Sequence, residues 1–152
     1  MTEVPRILAL DVGDRRIGLA LSDPLGYTAQ PLFTLHRTNP RADIKNIARV
    51  LRKHAIHTIV IGNPLYMSGD QSPQAAKAQA FADDLRALST PENPLTIHLW
   101  DERLTTTQDH RHLDDAGHTT GSRAARDERK AIIDQVAAVL ILQSFLAARH
   151  NV

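Results

Sequence analysis

Ile7-Leu-Ala-Leu-Asp-Val-Gly-Asp-Arg-Arg-Ile-Gly-Leu-Ala-Leu-Ser-Asp23 is the stretch on which the fold turns. It reads as two strands joined by a tight, charged turn. Ile7 to Leu10 is a short apolar run, the pattern of a strand buried on both faces. The run stops at Asp11, Gly13 and Asp14 let the chain reverse, and Ile17 to Leu21 resumes as a second apolar strand. A carboxylate at the end of a central strand is rigidly held where strands open to solvent, which suits a metal ligand or an acid/base group. Aspartate is also a common turn residue. From this stretch alone, Asp11 reads equally as a ligand and as the opening of a turn.

The rest of the chain bounds what this hairpin can belong to. A length of 152 residues predicts one domain, spanning 1–152, with enough chain for a real core. A hydrophobic share of 42% excludes a disordered protein, and an aromatic share of 4% makes the expected core aliphatic. Cysteine is absent, which excludes disulfides and thiolate metal sites. That fits a cytoplasmic location, as does a start, Met1-Thr-Glu-Val-Pro5, lacking the blocks of a signal peptide. No apolar run reads as the ~20 residues of a membrane span, so no membrane partner is expected. A formal charge of +1 offers no global argument for nucleic acid. Its distribution says more: Arg123, Arg126, Arg129 and Lys130 cluster late in the chain, and Arg15 and Arg16 follow Asp11. Such clusters are ordinarily solvated surface, so a phosphate-binding role depends on what lies beside them.

Beyond the hairpin, Tyr27 to Leu35 reads as a third strand, and Pro31 within it suggests an edge position or an early break. Asn39-Pro40 opens a helix with Ile44, Ile47, Ala48, Leu51 and Ala55 on one face, ending near His54. Thr58 to Ile61 is a buried strand, followed by a loop over Gly62 to Asp70. Ser72-Pro73 caps a second helix carrying Ala76, Ala80, Phe81, Leu85 and Leu88. Leu95 to Trp100 is the last strand, and it runs into Asp101-Glu-Arg-Leu-Thr-Thr106. A helix is expected from Thr105 or Thr106 toward Leu113, then a small, polar, flexible-looking segment over Gly117 to Ser122. A final helix should open at Asp127 or Glu128 and run to about Arg149. The order β-β-β-α-β-α-β-α-α predicts an α/β fold. Three meandering antiparallel strands are extended by two strands parallel to the first, with helices packed on the mixed sheet. Too little chain separates the first three strands for a fully parallel arrangement.

Two further carboxylates stand at comparable places. Glu102 follows the last strand by two residues, and Asp11 and Glu102 both lie where parallel strands finish, the usual location of a site in an open α/β sheet. Asp134 sits in Ala131-Ile-Ile-Asp-Gln-Val-Ala-Ala-Val-Leu-Ile-Leu142, a helix apolar on nearly every side. A lone buried Asp is costly unless something compensates. Ala137 and Ala138, three and four positions on, would let the helix approach the sheet closely. Each acid also has a plain reading: Asp134 as a helix-dipole or arginine partner, Glu102 as an ion pair with Arg103. If the three converge, their repulsion calls for a cation between them. Oxygen ligands without His or Cys favour Mg²⁺ or Mn²⁺, and two such ions support phosphodiester cleavage. Arg16, Arg103 and Lys130 could then contact phosphates, and Thr105 could donate a hydroxyl hydrogen bond. No aromatic side chains interleave the basic cluster, so base stacking is not suggested. His110 and His112, two apart on an expected helix, point to different faces and read as solvated or ion-paired.

Asp11-Val-Gly-Asp-Arg-Arg-Ile-Gly-Leu-Ala-Leu-Ser-Asp23, Ile61-Gly-Asn-Pro-Leu-Tyr-Met-Ser-Gly69, Asp101-Glu-Arg-Leu-Thr-Thr106 and Asp134-Gln-Val-Ala-Ala138 occur in that order. The set resembles the bacterial YqgF family, known both as Holliday junction resolvases and as pre-16S rRNA nucleases, and the likeness covers about Ile7 to Leu146. The first motif alone is unspecific, since actin-like ATPases and sugar kinases open similarly; the Asp-Glu-Arg-Leu-Thr-Thr element is far more specific. The resemblance implies a ribonuclease H-like fold, a five-stranded mixed sheet with helices on both faces. It implies a cytoplasmic nuclease acting on structured nucleic acid, pre-rRNA or branched DNA, and involved in processing the 5′ end of pre-16S rRNA, with ribosomal precursor particles as further partners. By position, Asp11, Glu102 and Asp134 would be the catalytic, metal-binding acids, with Mg²⁺ or Mn²⁺, two ions, as cofactor. Arg16, Arg103, Thr105 and Lys130 would be substrate contacts. The chain departs from the family pattern at Asn63, Tyr66, Trp100 and Asp109, none of them a proposed ligand. Asn63 and Tyr66 leave the loop's part in substrate binding open.

Two other function classes compete. A nucleic-acid or ribosome-precursor binding module without turnover would use the same basic residues. An ATPase or kinase half-domain would share the opening motif, but the chain lacks a Gly-x-x-x-x-Gly-Lys phosphate loop and a second lobe. A resolvase cutting two strands symmetrically favours a homodimer; an RNA processor can be a monomer.

Overall fold

The structure, a computed structural model, describes residues 5–105 and 122–150. Five strands form one sheet: β1 (Ile7–Val12), β2 (Arg16–Ser22), β3 (Ala29–His36), β4 (Thr58–Asn63) and β5 (Thr96–Asp101). Their order is β3-β2-β1-β4-β5. The first three pair antiparallel, and β4 and β5 join parallel to β1, as the spacing of the strands predicts. Three helices are described: α1 (Pro40–Lys53), α2 (Pro73–Arg86) and α3 (Arg123–His150). The helix expected from Thr105 or Thr106 to Leu113, with Asp109, His110 and His112 in it, and most of the Gly117 to Ser122 segment lie outside the described residues.

The sheet is buried on both faces, and strand alternation sorts its side chains. Leu8, Leu10, Ile17, Leu19, Ile59 and Ile61 face one way and pack with Ile47 and Leu51 of α1 and Phe81 and Leu85 of α2. Ile7, Ala9, Ala20 and Val60 face the other way, onto Ala138, Ile141, Leu142, Phe145 and Leu146 of α3. The core is aliphatic, as composition predicts. The residues facing α3 are small near the middle of the sheet, so that long helix lies close to it. By length and composition α3 would also cross a membrane, a feature the run-by-run reading of the sequence misses. Its buried residues rest on the sheet, as in a core helix.

Local chemistry sets the element ends. The Asn39 side chain accepts from the Ala42 amide, and Ser72 Oγ accepts from Ala75, as both caps predict. β3 is an edge strand, in keeping with Pro31, which sits opposite Ala20 beside a register shift. It starts at Ala29 rather than Tyr27. The Asp23 carboxylate takes the Tyr27 and Thr28 amides at 2.7 and 2.8 Å and holds those residues in the turn. The final helix opens at Arg123, earlier than Asp127. Ser122 is its cap, accepting through Oγ from the Ala125 amide at 3.1 Å and through its carbonyl from Arg126 at 2.9 Å. α1 ends with Ala55 at φ +52°, where Ile56 N donates to Leu51 O at 2.9 Å.

Candidate active site

Asp11 lies on β1 in line with Ile7 and Ala9, so its side chain belongs to the α3 face. Two glycines flank it. Gly18 is its partner on β2, and the Leu10–Ile61 pairing brings Gly62 of β4 level with Asp11 on the other side. Neither glycine is free to carry a side chain. A Cβ on Gly18 would overlap the backbone carbonyl of Asp134 and come within 3.1 Å of Asp134 Cβ. A Cβ on Gly62 would sit 3.0 Å from Glu102 Oε2 and 2.6 Å from Ile141 Cδ1. The two glycines are thus a floor: Asp134 rests over Gly18, Glu102 over Gly62, with Asp11 between. Three acids from the end of β1, the end of β5 and α3 reach one edge of the sheet on one face.

Glu102 is only 6% exposed, and its neighbours explain how it is turned inward. Residues Glu102–Leu104 form a single 3₁₀ turn capped by Asp101, whose carboxylate accepts from the Arg103 amide at 2.9 Å. The Arg103 guanidinium also grips Asp101, Nη2 to Oδ2 at 2.6 Å, and holds the Asp101 carboxyl below the usual carboxylate range. Arg103 Nη1 then donates to the Met67 carbonyl at 3.2 Å, tying the Gly62–Asp70 loop to the turn. Thr105 Oγ1 donates to the Glu102 carbonyl at 2.9 Å. Arg103 and Thr105, read from sequence as substrate contacts, are here engaged in bracing Glu102 and the loop beside it. Arg103 pairs with Asp101, where the plain sequence reading pairs it with Glu102.

Asp134 is reached by Arg16 across 118 residues of chain, Nε to Oδ2 at 2.7 Å, with both side chains largely shielded from solvent. α3 is pinned at this level: Thr34 Oγ1 donates to the Ala131 carbonyl, and Gln135 Nε2 donates to Thr34 Oγ1 at 3.1 Å. Lys130 is half-buried one turn before Asp134 and shares its side of the helix. Among the described residues, no three His, Cys, Asp or Glu side chains stand close enough together to hold a metal ion as they are. The acids share an edge and a face, and Asp134 is turned onto Arg16. Beyond Arg16 a cleft of about 650 Å³ runs beside the β1–β2 turn, its lining mixing Arg15, Arg37 and Lys77 with Asp14, Asp84 and Asp127. Lys77 is bound to Asp14 at 2.7 Å there.

Sequence reasoning anticipated the close approach of α3 to the sheet, but not which groups would meet over the glycines or brace them. Gly62 carried a readable signal, a glycine directly after a buried strand. The Asp101–Arg103 grip had none, and the arginine partner read for Asp134 is Arg16, which the sequence did not specify because side-chain pairing is not written in periodicity.

Known proteins resemble this chain along nearly its whole length. A chain from Clostridium tetani named "Putative pre-16S rRNA nuclease" is 42% identical over 146 residues, covering 96% of this chain and 99% of that one. A chain from Koribacter versatilis with the same name is 45% identical over 144 residues, 95% of this chain and 88% of that one. Among solved structures, Thermus thermophilus RuvC in complex with a Holliday junction superposes with a TM-score of 0.53 at 12% identity, covering 97% of this chain and 96% of that one. The Fowlpox virus resolvase bound to Holliday junction DNA gives 0.56 at 10% identity, covering 95% of this chain and 98% of that one. At those identities the likeness is one of fold, the ribonuclease H-like fold that the motifs imply. The model of the RuvX family, described as Holliday junction resolvase, matches residues 5–148, and with relatives above 40% identity along nearly its whole length the chain belongs to this family, also called YqgF.

Proposed function

We propose that this chain is a metal-dependent nuclease that hydrolyses phosphodiester bonds of structured nucleic acid, and that its substrate is the 5′ region of pre-16S rRNA. One observation carries the reading: carboxylates from three separate elements reach one sheet edge over a two-glycine floor. The name shared by the bacterial relatives supports the RNA substrate. The family description supports branched DNA as the second reading.

The donor chemistry fits a hard divalent ion. Asp11, Glu102 and Asp134 offer only oxygen, and Asp134 already holds a cationic group in this structure, the Arg16 guanidinium. Asp11, Glu102 and Asp134 would hold Mg²⁺ or Mn²⁺, as a pair of ions. Bound there, such ions lower the pKa of a water and stabilise the charge developing on the leaving oxygen. The chain's own residues do the rest. Asp101, Arg103 and Thr105 keep the Glu102 turn rigid, so its carboxylate does not swing to solvent. Thr34 and Gln135 fix the level of Asp134. Arg16 and Lys130, beside the acids, bind the phosphates flanking the cut. We further infer a single domain acting in the cytoplasm, as a monomer on RNA or a homodimer on a junction.

Asp11→Asn and Glu102→Gln test this directly. Each should lower cleavage of a precursor rRNA by at least about 100-fold in Mg²⁺ or Mn²⁺ while the circular dichroism spectrum is kept. Wild-type cleavage by either variant would overturn the assignment. Running a four-way DNA junction in parallel, with mass in solution measured, separates the two substrates. A protein that binds both without metal and cuts neither is a binding module instead.

A further inference from the structure

We propose that Arg16 is an internal counter-ion that a metal ion and a substrate phosphate displace together, so that the two bind cooperatively. The inference rests on the metal-site reading above and adds the regulation of that site. Arg16 Nε stands 2.7 Å from Asp134 Oδ2, with the side chains 18% and 23% exposed. Such shielding gives the pair more weight than a solvent-bathed surface contact. Both partners are groups that a substrate complex needs elsewhere: the carboxylate toward a cation, the guanidinium toward a phosphate.

The frame on each side is fixed, so the exchange is one of side chains. The Asp134 backbone lies hard against Gly18, and α3 is held at Ala131 and Gln135 by Thr34. Arg16 begins β2, opposite His36 of β3, and its carbonyl accepts from the Gly13 amide at 2.9 Å. Neither backbone can retreat, but both side chains can rotate. A divalent ion arriving alone at Asp134 would meet the guanidinium, and like charges oppose each other. A phosphate arriving alone would draw Arg16 from Asp134 and bring two anions together. When both arrive, carboxylate meets metal and guanidinium meets phosphate. Coupling of this kind is reciprocal and commonly amounts to about 5- to 150-fold in affinity.

The test is Mn²⁺ binding to the full chain, read by electron paramagnetic resonance of the free ion. Three proteins are compared without nucleic acid: wild type, Arg16→Gln, and Arg15→Gln, which removes the same charge one residue away. Arg16→Gln should bind Mn²⁺ at least about 5-fold more tightly than wild type, and Arg15→Gln should stay near wild type. A second arm reads the anisotropy of a labelled, phosphorothioate-protected four-way junction with and without Mn²⁺. Wild type should gain affinity from the ion by a comparable factor, and Arg16→Gln should lose most of that gain. If Arg16→Gln does not fold, Arg16→Lys, which keeps the charge but not the planar fork, should show the same change in smaller degree. Equal Mn²⁺ affinity in wild type and the Arg16 variant would overturn the exchange while leaving the metal reading standing. No Mn²⁺ binding by any of these proteins would overturn both.

Discussion

Replacing Gly18 with alanine tests the site through its floor. The added Cβ would overlap the Asp134 carbonyl and stand 3.1 Å from Asp134 Cβ, and neither is the end of a flexible side chain. Either α3 must lift or β2 must sink into the aliphatic layer beneath it. α3 buries Ala137, Ala138, Ile141, Leu142, Phe145 and Leu146, and a methyl forced into a packed contact costs about 1–3 kcal/mol. Removing a glycine returns about 0.4–1 kcal/mol by restricting the unfolded chain. Because the clash is with backbone, the cost should fall at the upper end, leaving a net loss of about 2 kcal/mol. Trp100, the only tryptophan, reports on α3 docking: its Nε1 donates to Ser144 Oγ at 2.9 Å, and its ring meets Phe145 edge-on at 5.3 Å. With an m-value of about 2 kcal/mol/M, the urea midpoint followed by Trp100 fluorescence should drop by about 1 M. A midpoint within about 0.2 M of wild type at unchanged m would refute the claim that the Asp134 backbone is seated on Gly18.

Three further outcomes follow from the fold. Asp43, 1% exposed, accepts from Arg37 Nε at 2.9 Å and from the Thr38 amide at 3.1 Å, so Asp43→Ala leaves a largely buried arginine short of its partner. A loss of about 3 kcal/mol in chemical denaturation is expected, and a loss under about 1 kcal/mol contradicts it. Ala55 at φ +52° closes α1 where glycine is the unstrained choice, so Ala55→Gly should raise stability by up to about 1 kcal/mol, relief of left-handed strain exceeding the gain in unfolded-chain entropy. A lower denaturation midpoint would show that Ala55 is not strained. Amide hydrogen bonds, from Thr28 first and also from Tyr27, hold the Asp23 carboxyl below its ordinary value of 3.8. A carboxylate depressed by folding stabilises above its unfolded pKa and loses that contribution as pH falls through the folded one. NMR titration of the Asp23 carboxyl should therefore give a midpoint under 3.8, and Asp23→Asn should flatten this part of the acid limb of the stability curve; a midpoint at or above that value contradicts the turn geometry.

Much of this protein is legible along the chain because the signals are local. Apolar runs of Ile7 to Leu10 and Thr58 to Ile61, the Asn39-Pro40 and Ser72-Pro73 caps, and the short spacing of the first three strands dictate elements and topology without reference to distant residues. The motifs likewise single out Asp11, Glu102 and Asp134 as residue types with a shared chemistry. Where the local reading slips, a side chain has captured a backbone group: Asp23 takes the Tyr27 and Thr28 amides and delays β3, and Ser122 opens α3 before the first acidic residue. What only the tertiary structure decides is who meets whom. Strand alternation and register, acting together, set Asp11 between Gly18 and Gly62; close packing of α3 on Gly18 brings Asp134 to that edge, and the turn after β5 brings Glu102 there over Gly62. Arg103, adjacent to Glu102 in sequence, turns to Asp101 and the Met67 carbonyl instead, and Arg16 crosses to Asp134. Periodicity specifies the face on which a side chain emerges; the partner it finds there depends on how two elements far apart in sequence are packed, and that is a property of the folded chain alone.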